Sequence, residues 1–160
     1  MFKKSLTPEQ ALQKLKQYCG YQERSHSEVV DKLYSLGVWK NEHDAILSSL
    51  IEQGYLNEER FAIAFAGGKY RIKQWGRVKI KYELKQKKVS DYCIKKALAQ
   101  IDEEEYLATL KKITEQKYAA LKSEQYMVRK KKTFDYLMGR GFEPGLITAA
   151  LASITEKKEG

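Results

Sequence analysis

The sequence predicts an all-α protein made of three tandem three-helix repeats, and three observations predict it. Only two prolines occur, Pro8 and Pro144, so residues 9 to 143 run without the residue that most strongly interrupts a helix. Gly20, Gly37 and Gly54 recur every 17 residues, each closing an apolar-periodic segment as a helix of about three turns with a left-handed terminal glycine would. Third, a set of apolar positions comes back twice. Leu33, Val38, Ile46 and Leu50 have counterparts in Leu84, Val89, Ile94 and Leu98, and again in Leu137, Phe142, Ile147 and Leu151. The spacings are 5, 5 and 4 in the last two sets and 5, 8 and 4 in the first, a loop longer by three residues. Repeats of this kind bury their faces on their neighbours, so three in series imply an elongated, curved array. The repeats are placed at 1–54, 55–101 and 102–160, the last with a short charged tail.

Taken in order, Thr7-Pro8-Glu9-Gln10 opens a helix over about 9–19, with Thr7 as N-cap, Pro8 at the first helical position and Gln10 closing a capping box. Ser25-His26-Ser27-Glu28 is a second capping box, followed by Val29, Val30, Leu33 and Leu36 on one face. A third helix begins at or near Asn41 and carries the stripe Ile46, Leu47, Leu50 and Ile51. The later repeats open with helices over about 58–73 and 103–121. Val78, Ile80, Tyr82 and Leu84 alternate with charged residues, which is the period of a half-buried strand. We read this segment as helix, because a lone strand has nothing to pair with and the corresponding segments 29–36 and 133–138 are helical by pattern. Ile80 and Leu84 also keep an i, i+4 face. Gly67-Gly68, inside the longest apolar helix, is read as a place of close helix packing or a kink.

Composition narrows the function. Apolar residues make up 42% and charged residues 32%, enough to build a core and too charged for a membrane-embedded chain. The longest apolar run is 61–66, and Met1-Phe2-Lys3-Lys4 is not followed by the apolar segment of a signal peptide, so a cytoplasmic protein without membrane attachment is expected. Cys19 and Cys93 are expected to be free thiols, and His26 and His43 surface residues. None has a partner at ligand spacing, so neither a metal nor a cofactor is expected. No Ser, His and Asp set, phosphate loop or dinucleotide fingerprint is present, and no enzymatic activity is expected. Asp102-Glu103-Glu104-Glu105 reads as the acidic start of a helix, where free N–H groups and the dipole favour carboxylates.

Thirty Lys and Arg against 21 Asp and Glu give a net charge of +9. Residues 1–54 carry 7 positive and 7 negative side chains, residues 55–101 carry 12 and 4, and residues 102–160 carry 11 and 10. The excess therefore sits in the middle repeat, as in a protein that lays one stretch along a polyanion. Lys69, Arg71, Lys73, Arg77, Lys79, Lys81, Lys85, Lys87 and Lys88 place nine cations within 20 residues, opposed by Glu83 alone. Ordinary exposed helices mix signs for i, i+4 support, so these like charges repel unless an anion answers them. Trp75 lies among them and either stacks on a base or anchors the core. Arg129, Lys130, Lys131 and Lys132 form a second patch, crossed by the apolar line Met127, Phe134 and Met138. Lys131 stands on that line, where it either snorkels at the edge of a buried stripe or meets a ligand.

Leu56-Asn57-Glu58-Glu59-Arg60-Phe61-Ala62 and Gly76-Arg77-Val78-Lys79-Ile80-Lys81-Tyr82-Glu83-Leu84-Lys85-Gln86-Lys87-Lys88-Val89 resemble the central signature of the RecX regulatory proteins of bacteria. That signature is an acidic residue before Arg-Phe-Ala, then Gly-x-x-x-Ile-x-x-Glu-Leu-x-x-Lys-Gly-Ile/Val. Ser25, Glu28, Leu33 and Gly37 fit the family's first repeat, and Arg140, Gly141, Phe142, Ile147 and Leu151 its third, so the resemblance covers about 9–153. Lys88 replaces the usual glycine, and Asn57 stands where aspartate is common. The resemblance implies a non-enzymatic regulator without cofactor. It would act as a monomer that binds the RecA recombinase nucleoprotein filament on single- or double-stranded DNA and curbs its recombination, ATPase and co-protease activities. The basic middle repeat would then face DNA phosphates or acidic RecA surface. The residues by themselves also allow a stand-alone basic helical DNA-binding module acting independently of RecA.

Overall fold

The computed structural model describes residues 6–156, and every regular element among them is an α-helix. The first three are α1 (Pro8–Tyr21), α2 (His26–Ser35) and α3 (Lys40–Glu52). α4 (Glu58–Lys73), α5 (Arg77–Gln86) and α6 (Asp91–Ala99) follow, then α7 (Glu103–Ala120), α8 (Tyr126–Gly139) and α9 (Pro144–Glu156). The alternating stretch lies in α5. Ile80 and Leu84 are fully buried while Val78 and Tyr82 are half or more exposed, so one helical face, and not every second residue, meets the core.

The helix starts follow their caps. Thr7 and Ser25 each accept from the N3 backbone N–H and receive the N3 side chain in return, through Gln10 and Glu28. Asn57 performs the same service for α4, its Oδ1 accepting from Arg60 N–H at 2.9 Å. The asparagine thus does the capping work of the aspartate it replaces. α3 begins at Lys40 with Trp39 as N-cap and no side-chain cap bond.

The helix ends show the repeat more sharply than the sequence does. After α2 the Val38 N–H returns to the Leu33 carbonyl, after α5 Val89 returns to Leu84, and after α8 Phe142 returns to Leu137, at 3.1, 3.1 and 3.2 Å. In each case the residue before takes a left-handed conformation: Gly37 at φ +75°, Lys88 at +62° and Gly141 at +92°. These are three copies of one Schellman closure. α3 ends in the same way at Gly54, φ +79°. Gly20 does not. It lies inside α1, which runs on to Tyr21 and leaves through an extended Gln22, so the 17-residue glycine spacing marks two helix ends and not three.

The helices assemble into two compact units, and these cut across the three repeats. The first takes the described part of Met1–Phe65 together with Glu83–Ala97, and the second takes Ala66–Tyr82 and the described residues from Leu98 on. In the first, α1, α2 and α3 pack pairwise around Ala11, Leu15, Val29, Leu33, Ile46, Leu50 and Leu56. In the second, α7, α8 and α9 pack pairwise, and the Tyr106 ring stands between Tyr70 and Phe142 at centroid distances of 5.9 and 5.4 Å.

A joint between successive repeats occurs in each unit. In the first, Ser27 Oγ donates to the Lys87 carbonyl at 2.7 Å and Lys87 Nζ lies 3.9 Å from Glu28. In the second, the N–H groups of Gly76 and Val78 donate to the Arg140 and Gly141 carbonyls at 2.8 and 2.9 Å. Ser27 and Val78 are equivalent positions, as are Lys87 and Arg140. The turn after the second helix of one repeat therefore sits on the start of the second helix of the repeat before it, and in the second joint its carbonyls take up N–H groups that have no helical partner. The second joint is so close that a Cβ on Gly76 would lie 2.3 Å from the Gly141 oxygen, and one on Gly141 2.2 Å from the Lys79 Cβ.

Two further readings are corrected by packing. His43 is buried, with Nε2 3.0 Å from the Val38 carbonyl and its ring edge-on to Tyr34, and His26 is half-buried at the start of α2; a polar ring satisfied by one carbonyl is tolerated inside. Gly67-Gly68 is not a close helix contact: nothing lies within 4 Å of a Cβ on Gly68, and Gly67 would meet the flexible Arg71 guanidinium. Cys19 and Cys93 are buried free thiols. No helix among the described residues is long and apolar enough to cross a membrane.

Candidate nucleic-acid and filament interface

The nine cations of residues 69–88 are divided between the two units. In the second unit, Arg71 and Lys73 are exposed at the end of α4, beside Ile72, which is 79% exposed. α4 ends where Gln74 turns to φ +56° and the Trp75 N–H returns to the Lys69 carbonyl at 3.2 Å. Arg140 secures this corner by donating to the Lys73 carbonyl. Trp75 is half-buried, with Lys69 Nζ 5.1 Å and Lys79 Nζ 4.6 Å from its ring centroid. The indole therefore holds two ammonium groups against its face. Lys81 is exposed on α5 next to Tyr82.

Arg77 has a different environment. Its Nε and Nη2 meet Glu143 at 2.8 Å, its Nη1 meets Glu103 at 2.7 Å, and the guanidinium stacks 3.9 Å from the Tyr106 ring centroid. The Tyr106 hydroxyl accepts from the Arg77 backbone N–H at 2.9 Å and donates to Glu143. Burial works against the guanidinium's charge, but the hydrogen bond to Glu103 and the Glu143 carboxylate outweigh it and hold Arg77 more firmly protonated than usual. Burial, then donation to Glu143, pushes the Tyr106 phenol well up from its ordinary value. The charge of Arg77 is thus answered within the chain. Its partners lie 26 and 66 residues away in sequence, and no periodicity announces them.

In the first unit, Lys85 is exposed, 4.0 Å from Asp91, and Lys88 is exposed at the left-handed turn. Lys87 is half-buried between Glu28 and the Phe65 ring, 5.7 Å from the ring centroid. The second patch is more fully engaged. Arg129 donates to the Tyr118 carbonyl and stacks on that ring at 3.6 Å. Lys132 pairs with Glu124 at 2.6 Å and Lys131 with Asp135 at 2.9 Å, while Lys130 lies 5.2 Å from the Tyr126 ring centroid. Arg71, Lys73, Lys81 and Lys88 are therefore the members of the two patches that present their charge outward most openly. Asp102 caps α7 by accepting from Glu105 N–H at 2.9 Å, as the acidic run predicts.

Two family models match the chain: RecX, second three-helix domain, over residues 57–98, and RecX, third three-helix domain, over residues 103–151. The regulatory protein RecX of Chlorobium phaeobacteroides is 31% identical over 137 residues, covering 84% of this chain and 87% of that protein. The regulatory protein RecX of Lactobacillus gasseri is 27% identical over 157 residues, 98% of this chain but 58% of that protein. For its counterpart in Bacillus cytotoxicus the share is 53%, so the chain spans little more than half the length of several relatives it matches. The crystal structure of RecX from Lactobacillus salivarius superposes with a TM-score of 0.84 at 21% identity, covering 92% of this chain and 96% of that one.

Proposed function

Because the chain belongs to the RecX family of regulatory proteins, we propose that it binds the RecA recombinase filament on DNA and restrains its recombination, ATPase and co-protease activities. In this reading it acts as a cytoplasmic monomer and catalyses no reaction. The observation that carries the reading is the charge of the middle repeat, 12 cations against 4 carboxylates, with Arg71, Lys73, Lys81 and Lys88 turned to solvent. Lysines and arginines held outward without carboxylates suit a phosphate backbone, which they bind by releasing counterions. Lys69, Lys79 and Trp75 add a cationic, aromatic corner to the same stretch.

The same cations favour a second reading, a module that holds DNA without RecA. Binding to bare DNA and to RecA-coated DNA, compared at one salt concentration, separates the two. Preference for coated DNA is the expected result. Equal binding selects the module and removes the regulator reading.

A further inference from the structure

On the third repeat, α8 and α9 enclose an open cavity of about 480 Å³ that the reading above does not use. Its floor is apolar, formed by Met127, Phe134, Leu151 and Ala152, and its rim carries Lys130, Lys131 and Asp135. Met127 is 66% exposed, and Met138, about three turns further along the same face of α8, is exposed as well. Apolar surface gathered in this way marks an interaction site more often than chance, and methionine adapts its shape to what it meets.

The rim states what charge the occupant carries. Lys131 and Asp135 form an exposed i, i+4 pair, weak enough to exchange for an outside carboxylate. Lys130 is the repeat equivalent of Arg77. At Arg77 the cation is answered by two carboxylates, Glu143 and Glu103; at Lys130 the ammonium lies over a tyrosine ring instead. We propose that the α8/α9 groove docks an acidic amphipathic helix of a partner protein. Its apolar residues at i, i+3, i+4 and i+7 would fill the floor, and its carboxylates would meet Lys130 and Lys131. A nucleic acid would engage the lysines but leave the methionine and phenylalanine floor unfilled. The proposal does not rest on the filament reading.

The test uses the full chain and a labelled synthetic peptide of about 16 residues, leucine at those four spacings and glutamate with alanine elsewhere, followed by fluorescence anisotropy. Binding is expected, and Met127→Glu should weaken it roughly tenfold or more, as should Lys130→Glu with Lys131→Glu. Circular dichroism checks that each variant keeps its helices. A peptide with lysine for glutamate should bind poorly to the wild type and better to the double lysine variant. No binding of the acidic peptide, or binding indifferent to Met127→Glu, overturns the proposal. So does equal binding once the leucines become alanine, which would mean charge attraction alone. Sedimentation showing a self-associated protein that Met127→Glu dissolves would give the groove to a second copy of the chain, and also overturns it.

Discussion

Lys88 holds φ +62° at a position where the other two repeats place Gly37 and Gly141. A side chain there costs on the order of 1 kcal/mol, partly offset because glycine loses more entropy on folding. Lys88→Gly should therefore raise stability by about 0.5 kcal/mol or more, read as a higher denaturation midpoint at unchanged slope. The resemblance marks that turn, since it expects glycine at the position Lys88 fills, four places after Leu84, and the lysine adopts the left-handed conformation all the same. The pattern did not locate the cluster around Tyr106, whose contacts join residues far apart in sequence. Tyr106→Phe leaves the Arg77 N–H and one Glu143 oxygen without their partner and should cost about 1 to 3 kcal/mol at neutral pH. Its effect on alkaline stability follows from the raised phenol. The folded chain keeps the proton longer than the unfolded one, so this contribution is complete below pH 10.0, the unfolded value, and declines as pH rises beyond it. Urea titrations between neutral pH and about 11 should show a shallower decline for the phenylalanine variant. Tyr18 and Tyr70, also raised chiefly by burial, retain the remainder.

α5 shows where periodicity misleads and where it succeeds. Its alternation has the period of a strand, but the tertiary face is set by Ile80 and Leu84 one turn apart, and packing decides. The helices of the first repeat were legible from Thr7 and Ser25, because a capping box is a local device. The start of α3 was legible only to within a residue or so, Trp39 having no side chain that can cap. The nine cations of residues 69–88 can be counted in the sequence, yet counting gives no hint that Arg77 and Lys87 are held by partners within the chain. If outward charge drives binding, replacing Arg71, Lys73, Lys81 and Lys88 by Glu should weaken the complex with DNA or filament strongly at unchanged helicity. For about five neutralised single-strand phosphates the salt slope is near −3.5, so raising salt from roughly 50 to 200 mM should weaken the wild type about a hundredfold. The quadruple variant should show a flatter slope, and a matching set in the charge-balanced first third, Lys3, Lys4, Lys14 and Lys40, should do much less. Arg77→Gln belongs with neither set: it should lower stability by leaving Glu103 and Glu143 uncompensated.

As a whole molecule the protein is three repeats by sequence and two compact units by packing. If the chain restrains the RecA filament as proposed, it should act below the filament's own concentration, because one bound copy can halt extension or reach several subunits. RecA's DNA-dependent ATP hydrolysis should then fall at a protein to RecA ratio well under one; inhibition only at equimolar or higher amounts would point to simple competition for DNA. The joints between repeats carry a further consequence, for how such a chain can grow. The middle repeat both seats its turn on the repeat before and receives the turn of the repeat after. The third repeat offers no such seat, since α8 begins at Tyr126 and Arg129 stands where Gly76 stands one repeat earlier. Gene duplication would lengthen the array by copying residues 55–101. The copies would not join as they are, because the joint at Gly76 admits only a glycine in the incoming turn, the added Cβ otherwise meeting Lys79, whereas the looser joint at Ser27 tolerates Lys88. A duplicated middle repeat should fold into register only when the incoming copy carries Lys88→Gly, so one backbone torsion decides whether a copied repeat can be seated.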